Sequence, residues 1–238
     1  MTPLAAALLA FALTAVGPAV AAAIGWSRRA LTPHPDVHPV TLVHEAGHAL
    51  VAWHCTAVAY VESVDTMKTG YGTRGGHVRN AWLANAPQPA LDWCRLVVTL
   101  GGIAAEMIVI RRARSGPASE DLMEAAALCR RIVQAGGVDP PWSHRPRERR
   151  LAFERVFVEQ LTEDELRVMR LAYAMARDLL AQRSLALARL LALLIERPIV
   201  RGDDLHPALG LRPVASTSLW RTLSSEVKAE FSVRGRTL

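Results

Sequence analysis

Residues 44 to 48 read His44-Glu45-Ala46-Gly47-His48, two imidazoles four positions apart with a carboxylate directly after the first. On a helix, positions i and i+4 lie about 40° apart around the axis, so His44 and His48 project from one face and can grip a single metal ion. Glu45 then stands beside the ion's open position, where a carboxylate can take a proton from an attacking water. This is a zinc-hydrolase site in outline, with two of three protein ligands in hand.

The third ligand is harder to place. His54 falls at the last position of an H-E-x-x-H-x-x-G-x-x-H pattern, but Val51 stands where that pattern has the glycine that turns the chain back. The helix should therefore continue, carrying His54 about 15 Å beyond His44 and some 80° away from it. An intramembrane site is also disfavoured, because no uninterrupted apolar run of about 18 residues surrounds the pentad. That leaves Asp92, Glu106, Glu120, Asp121 and Glu124, carboxylates on downstream segments with helical patterning.

The elements that must position these groups follow from punctuation and periodicity. A helix is expected over residues 41–57, with Leu42, Ala46, Ala49, Leu50 and Trp53 available for a buried face. Residues 60–65 and 75–79 read as two short strands around a turn rich in glycine at Gly70, Gly72 and Gly75. Pro87 and Pro89 precede a long apolar helix over 90–111, in which Gly101-Gly102 marks a close backbone approach or a kink. Another helix is expected over 119–135. After a loop at 136–146 the chain reads as helical to Glu196, and Thr162-Glu163-Asp164-Glu165 has the form of a capping box. The expected fold is mainly α with a small β element.

At 238 residues and 51% apolar composition the chain can bury one domain of ordinary size plus appendages. Residues 1–27 carry no charged side chain, enough for the roughly 20 apolar residues of a bilayer span. A single transmembrane anchor is expected there, with a cleaved signal peptide as the rival: Ala19-Val20-Ala21 resembles a cleavage site, but a basic stretch ahead of the apolar run is missing. Arg28 and Arg29 follow the run, which by the positive-inside rule puts the rest of the chain in the cytoplasm. Residues 28–39, with Pro33, Pro35 and Pro39, are read as a linker, 40–213 as the folded domain and 214–238 as a polar tail. Cys55, Cys94 and Cys129 are too widely spaced for a zinc-thiolate site, and three free thiols suit a reducing compartment. The net charge of +6 gathers partly at Arg111 to Arg114 and His144 to Arg150, without interleaved aromatics. Such a surface suits an anionic membrane leaflet, and nucleic acid is disfavoured as a partner.

Three further motifs bear on the missing ligand: Gly101-Gly102-Ile103-Ala104-Ala105-Glu106, then Ser115-Gly116-Pro117-Ala118-Ser119-Glu120-Asp121-Leu122, then Arg201-Gly202-Asp203-Asp204-Leu205 after the segment from Arg183 to Glu196. With His44 to Ala49, they resemble in order the peptidase domain of the FtsH family of membrane-bound zinc metalloproteases, over roughly residues 40–210. The resemblance implies His44, His48 and Asp121 as zinc ligands and Glu45 as general base, with Glu106 in reserve as a ligand or as a group orienting a histidine. It also implies that the strand holding His77 pairs with extended substrate through its backbone. Members of that family usually carry an ATPase module, but no G-x-x-x-x-G-K-[ST] phosphate loop occurs in these 238 residues. Residues 138–150, rich in Pro and Arg, also depart from the family pattern.

The expectation is therefore an ATP-independent zinc metalloendopeptidase held at the membrane, acting on unfolded proteins or peptides. A separate ATPase and a homo-oligomer are the assemblies it leaves open. The alternative is a catalytically inactive scaffold of the same fold that binds a protein partner, such as a separate ATPase, at the membrane.

Overall fold

A computed structural model describes residues 37–55, 57–68, 75–84, 88–111, 117–139 and 160–210. The expected membrane anchor at 1–27, the tail at 214–238 and the basic segment at 144–150 lie outside the described residues. Among the described residues no helix is long and apolar enough to cross a membrane.

The fold begins by Val37, which is buried and bridges Met67 in antiparallel fashion, so the last residues of the expected linker pack with the domain. Helix α1, Pro39–His54, follows. Pro39 suits a first helical turn because its missing N–H would find no partner there. His38 accepts the Val40 N–H through Nδ1 at 3.2 Å, giving the helix a side-chain cap. The helix runs unbroken through Val51 to His54 and stops at Cys55 in extended backbone, a little short of the expected end. Every residue from Val40 to His54 is buried. α1 is thus the central helix of the domain, covered on all sides rather than along one stripe.

Helix α2, Gln88–Val109, packs against α1. The contact is backbone to backbone: a Cβ on Gly47 would collide with the Gly101 carbonyl and come within 2.6 Å of the Ala105 Cβ. The Gly101-Gly102 pair therefore marks a close approach, one of the two expected possibilities. Helices α3, Pro117–Gln134, and α4, Glu163–Gln182, pack on α2 and on each other. The capping box of α4 is formed, with the Thr162 hydroxyl accepting from Glu165 N at 3.3 Å and Glu165 Oε2 accepting from Thr162 N at 2.8 Å. The helical stretch expected to reach Glu196 is two helices, because the chain leaves helical geometry at Arg183 before α5, Ser184–Glu196. Leu42 and Leu50 of α1 and Leu96, Leu100 and Ile103 of α2 are among the fully buried side chains of the core. Each contributes about 1.5–3 kcal/mol by leaving water.

A three-stranded antiparallel sheet covers one side of α1. Its order is β2-β1-β3, with β1 spanning Val58–Lys68, β2 Gly75–Trp82 and β3 Ile199–Arg201. Both hairpin strands are longer than expected. Register shifts in β1 break the strict alternation by which a sequence announces a strand. Strand β3, not foreseen, has Val200 buried between exposed neighbours. A 3₁₀ turn, Gly202–Leu205, and one helical turn, α6, His206–Leu209, follow it.

Candidate metal centre

His44 and His48 lie in the middle of α1, one turn apart, and both are buried. Their Nε2 atoms are 2.9 Å from each other. Asp121, in the first turns of α3, brings Oδ2 to 2.7 Å from His44 Nε2 and 3.1 Å from His48 Nε2. These side chains, drawn from α1 and α3, offer three ligand atoms within 4.8 Å of one another.

The opposite edges of both rings are held by α2. His44 Nδ1 donates to Glu106 Oε1 at 2.6 Å, and His48 Nδ1 donates to the Val98 carbonyl at 2.8 Å. A carbonyl can only accept, so His48 carries its proton on Nδ1, and a carboxylate acceptor selects the same tautomer for His44. Both Nε2 lone pairs then face Asp121 Oδ2. Three acceptors converging in a buried site repel one another unless a proton or a cation sits among them.

A proton is one solution. Burial by itself lowers the pKa of His44, yet the hydrogen bonds with Asp121 and Glu106 and the Asp121 charge outweigh it and raise the imidazole to about 10. His48 is likewise raised: burial pulls it down, the Asp121 charge lifts it further, and His44 opposes. For Asp121, burial works upward but the His48 charge and the two histidine hydrogen bonds hold its carboxyl below the usual range. A divalent cation is the other solution, because it replaces the proton among the same three atoms. Two imidazole nitrogens and one carboxylate oxygen, each histidine oriented by a hydrogen bond from its far nitrogen, form a donor set that suits zinc with a fourth position open. The residues therefore fit the group.

Glu45 follows His44 on α1 and is buried. Burial pushes its carboxyl up to about 7, against the lowering charges of His48 and His44. Such a carboxyl can take or give a proton near neutrality. Strand β2 passes directly against it, at Gly76 (φ 106°), where a Cβ would come within 2.7 Å of Glu45 Cγ and Oε1. Only glycine combines that backbone with that contact.

Of the sequence candidates, the structure brings together His44, His48 and Asp121, with Glu45 adjacent and Glu106 behind His44. Glu106 reaches Nδ1, the nitrogen facing away from the cluster, which is the orienting position rather than a ligand's. His54 stays at the end of α1, outside the cluster. Asp92 is engaged with Arg131 at 3.1 Å, and Glu120 and Glu124 are exposed on α3. His77 is an exposed residue of β2, opposite Asp65. Sequence reasoning did not assign Val98, Gly102 or Gly76 to the site. A Cβ at Gly102 would lie 2.6 Å from His48 Nε2 and 2.7 Å from His44 Nε2, so α2 can run beneath the two rings only with glycine there. The Gly101-Gly102 pair was the available signal for that residue. The Val98 carbonyl has none, since any residue supplies one.

Residues 35–207 match the family model for peptidase family M41. The chain belongs to peptidase family M41. It is 24% identical over 202 residues to the ATP-dependent zinc metalloprotease FtsH of Pseudothermotoga lettingae, covering 78% of this chain and 32% of that protein. It is 25% identical over 205 residues to the mouse mitochondrial inner membrane m-AAA protease component AFG3L2, covering 82% of this chain and 25% of the relative. A shorter match, 35% over 101 residues, relates it to the ATP-dependent zinc metalloprotease FtsH 1 of Rhodopirellula baltica, covering 42% of this chain and 15% of that one. This M41 chain thus spans a third or less of the length of these relatives. The FtsH resemblance carried by the pentad, the Gly101 to Glu106 motif and the Asp121 turn is confirmed for the peptidase domain.

Proposed function

We propose that this chain is a zinc metalloendopeptidase, anchored in a membrane and independent of ATP, that hydrolyses peptide bonds of unfolded proteins or peptides. The observation that carries the reading is the convergence of His44 Nε2, His48 Nε2 and Asp121 Oδ2 beside the buried carboxyl of Glu45. His44, His48 and Asp121 hold the zinc, and Glu106 and the Val98 carbonyl keep the two rings turned toward it. When bound, zinc supplies the Lewis acidity that polarises a scissile carbonyl and acidifies an attacking water. Glu45 is the general base: it takes the water's proton and returns it to the leaving amine, two roles served by a carboxyl held near neutrality. Strand β2 is an edge of the sheet, and its backbone offers an extended substrate a partner in line with Glu45.

The 238 residues contain no phosphate-binding loop, and the hydrolysis assigned to them consumes no ATP. Substrates are therefore chains that are already unfolded, or that a separate ATPase delivers. Residues 1–27 serve as the anchor, 28–39 as a linker to the catalytic domain at 40–213, and 214–238 as a tail; the Arg28-Arg29 pair keeps that domain in the cytoplasm. The test is zinc content of detergent-purified protein, wild type against Asp121→Ala. About one zinc per chain, lost in the variant, is expected for this ligand set. Wild type that binds no zinc would contradict the reading and favour a partner-binding scaffold.

A further inference from the structure

Helices α1 and α2 run antiparallel, and their contacts set a register. Glu106 reaches His44, the Gly101 backbone lies against Gly47 and Val51, and the Val98 carbonyl receives His48. Eight residues past Gly47 stands Cys55, where α1 ends in extended backbone, and seven residues back from Gly101 stands Cys94. Each interval is about two turns of helix, roughly 11 to 12 Å, so the register brings the two cysteines to the same level of the seam.

Their side chains meet there. Cys94 S–H donates to Cys55 Sγ, and both residues are buried in the core. The hydrogen bond from Cys94 to Cys55 and the burial together hold the Cys94 thiol well above its ordinary range. Cys129, the third cysteine, is buried on α3. The sulfurs of a disulfide are about 2.05 Å apart, and two sulfurs already in hydrogen-bond contact approach that distance by turning about their Cα–Cβ bonds.

We propose that Cys55 and Cys94 are a disulfide pair that closes while the chain folds under oxidising conditions and clasps the end of α1 to α2. The oxidant is a small disulfide of the glutathione class. The thiolate of one cysteine attacks a glutathione sulfur and releases one glutathione thiolate; the second cysteine thiolate attacks the mixed disulfide and releases the other. The two cysteines lose two electrons, glutathione disulfide gains them, and the two cysteine protons end on two glutathione thiols. In a reducing compartment the pair stays as thiols and packs as small apolar groups. Burial decides the timing: a sealed thiol held in its protonated form is a poor nucleophile, so the bond forms before the seam closes, and the fold then shields it from reductant. Cys94 is one turn before Val98, so the clasp fixes the stretch of α2 that orients His48. It takes no part in hydrolysis and stands independently of the peptidase reading.

The test is refolding of full-length protein from urea into detergent, in a glutathione redox buffer and in parallel under reductant, followed by alkylation, tryptic mapping and thermal melting. Cleavage at Lys68, Arg79, Arg95 and Arg114 leaves the three cysteines in separate peptides. The expected result is a linked Cys55–Cys94 peptide pair with Cys129 alkylated, and a melting temperature at least about 5 °C above that of the sample refolded under reductant. Folded, reduced protein placed in the same redox buffer should form the bond at least tenfold more slowly. Three free thiols after oxidative refolding, a linkage that includes Cys129, glutathione retained on either Cys55 or Cys94, or a linked protein that melts no higher than the reduced one would each overturn the proposal. Equal rates from folded and unfolded protein would overturn its timing.

Discussion

Glu106 Oε1 lies 2.6 Å from His44 Nδ1, and the carboxylate is completely buried. This one hydrogen bond connects the α2 helix to the chemistry on α1, since it fixes which nitrogen of His44 is left free to face Asp121. A partner of this kind raises ligand basicity and holds the ring in place.

Glu106→Gln keeps the shape of the side chain and removes its charge. Zinc affinity should fall about 10- to 100-fold, measured by competition with a chromophoric chelator. Unchanged affinity would show that His44 does not depend on Glu106.

The two glycine contacts separate packing from metal binding. Gly47→Ala forces α1 away from the Gly101 backbone, which cannot move like a side-chain end, and should destabilise the fold by about 1–3 kcal/mol in urea unfolding. Gly102→Ala places a methyl group against both Nε2 atoms and should reduce zinc binding out of proportion to any loss of stability. Equal effects of the two substitutions on zinc would contradict the placement of Gly102 beneath the rings.

The pH dependence of the metal-free protein follows from His44, raised from 6.5 to about 10, and Glu45, raised from 4.5 to about 7. Each holds a proton in the folded state at pH values where the unfolded chain has lost it. The stability each contributes is complete below its unfolded pKa and is lost as pH rises through the folded one. Chelator-treated protein should therefore melt at progressively lower temperature from about pH 4.5 to about pH 10. Zinc replaces the proton, so the stabilisation gained on adding zinc should grow over the same range. A flat or rising melting temperature for metal-free protein would refute this account of the cluster.

Thr162→Ala removes one half of the α4 capping box and should cost about 1 kcal/mol of stability without changing zinc affinity. Denaturant titration beside the same chelator competition checks both parts.

What the sequence disclosed tracks how local each feature is. The pentad could be read outright because its geometry is contained in one turn of helix, and the unbroken run to His54 followed from Val51 alone. The capping box was equally local. Asp121 could not be chosen from spacing, since its contact with His44 spans 77 positions and several carboxylates were available; the resemblance singled it out. Strand β3 escaped notice because three residues are too few for a period of two to emerge. The break at Arg183 carries no proline or glycine to announce it.

The central claim is that Glu45 moves the proton at a zinc site built by its neighbours. The most direct measurement is casein cleavage and zinc content on the same preparations of wild type and Glu45→Gln. The account predicts unchanged zinc with turnover reduced by at least about 100-fold, the scale of a lost general base. Zinc retained with proteolysis undiminished would contradict it.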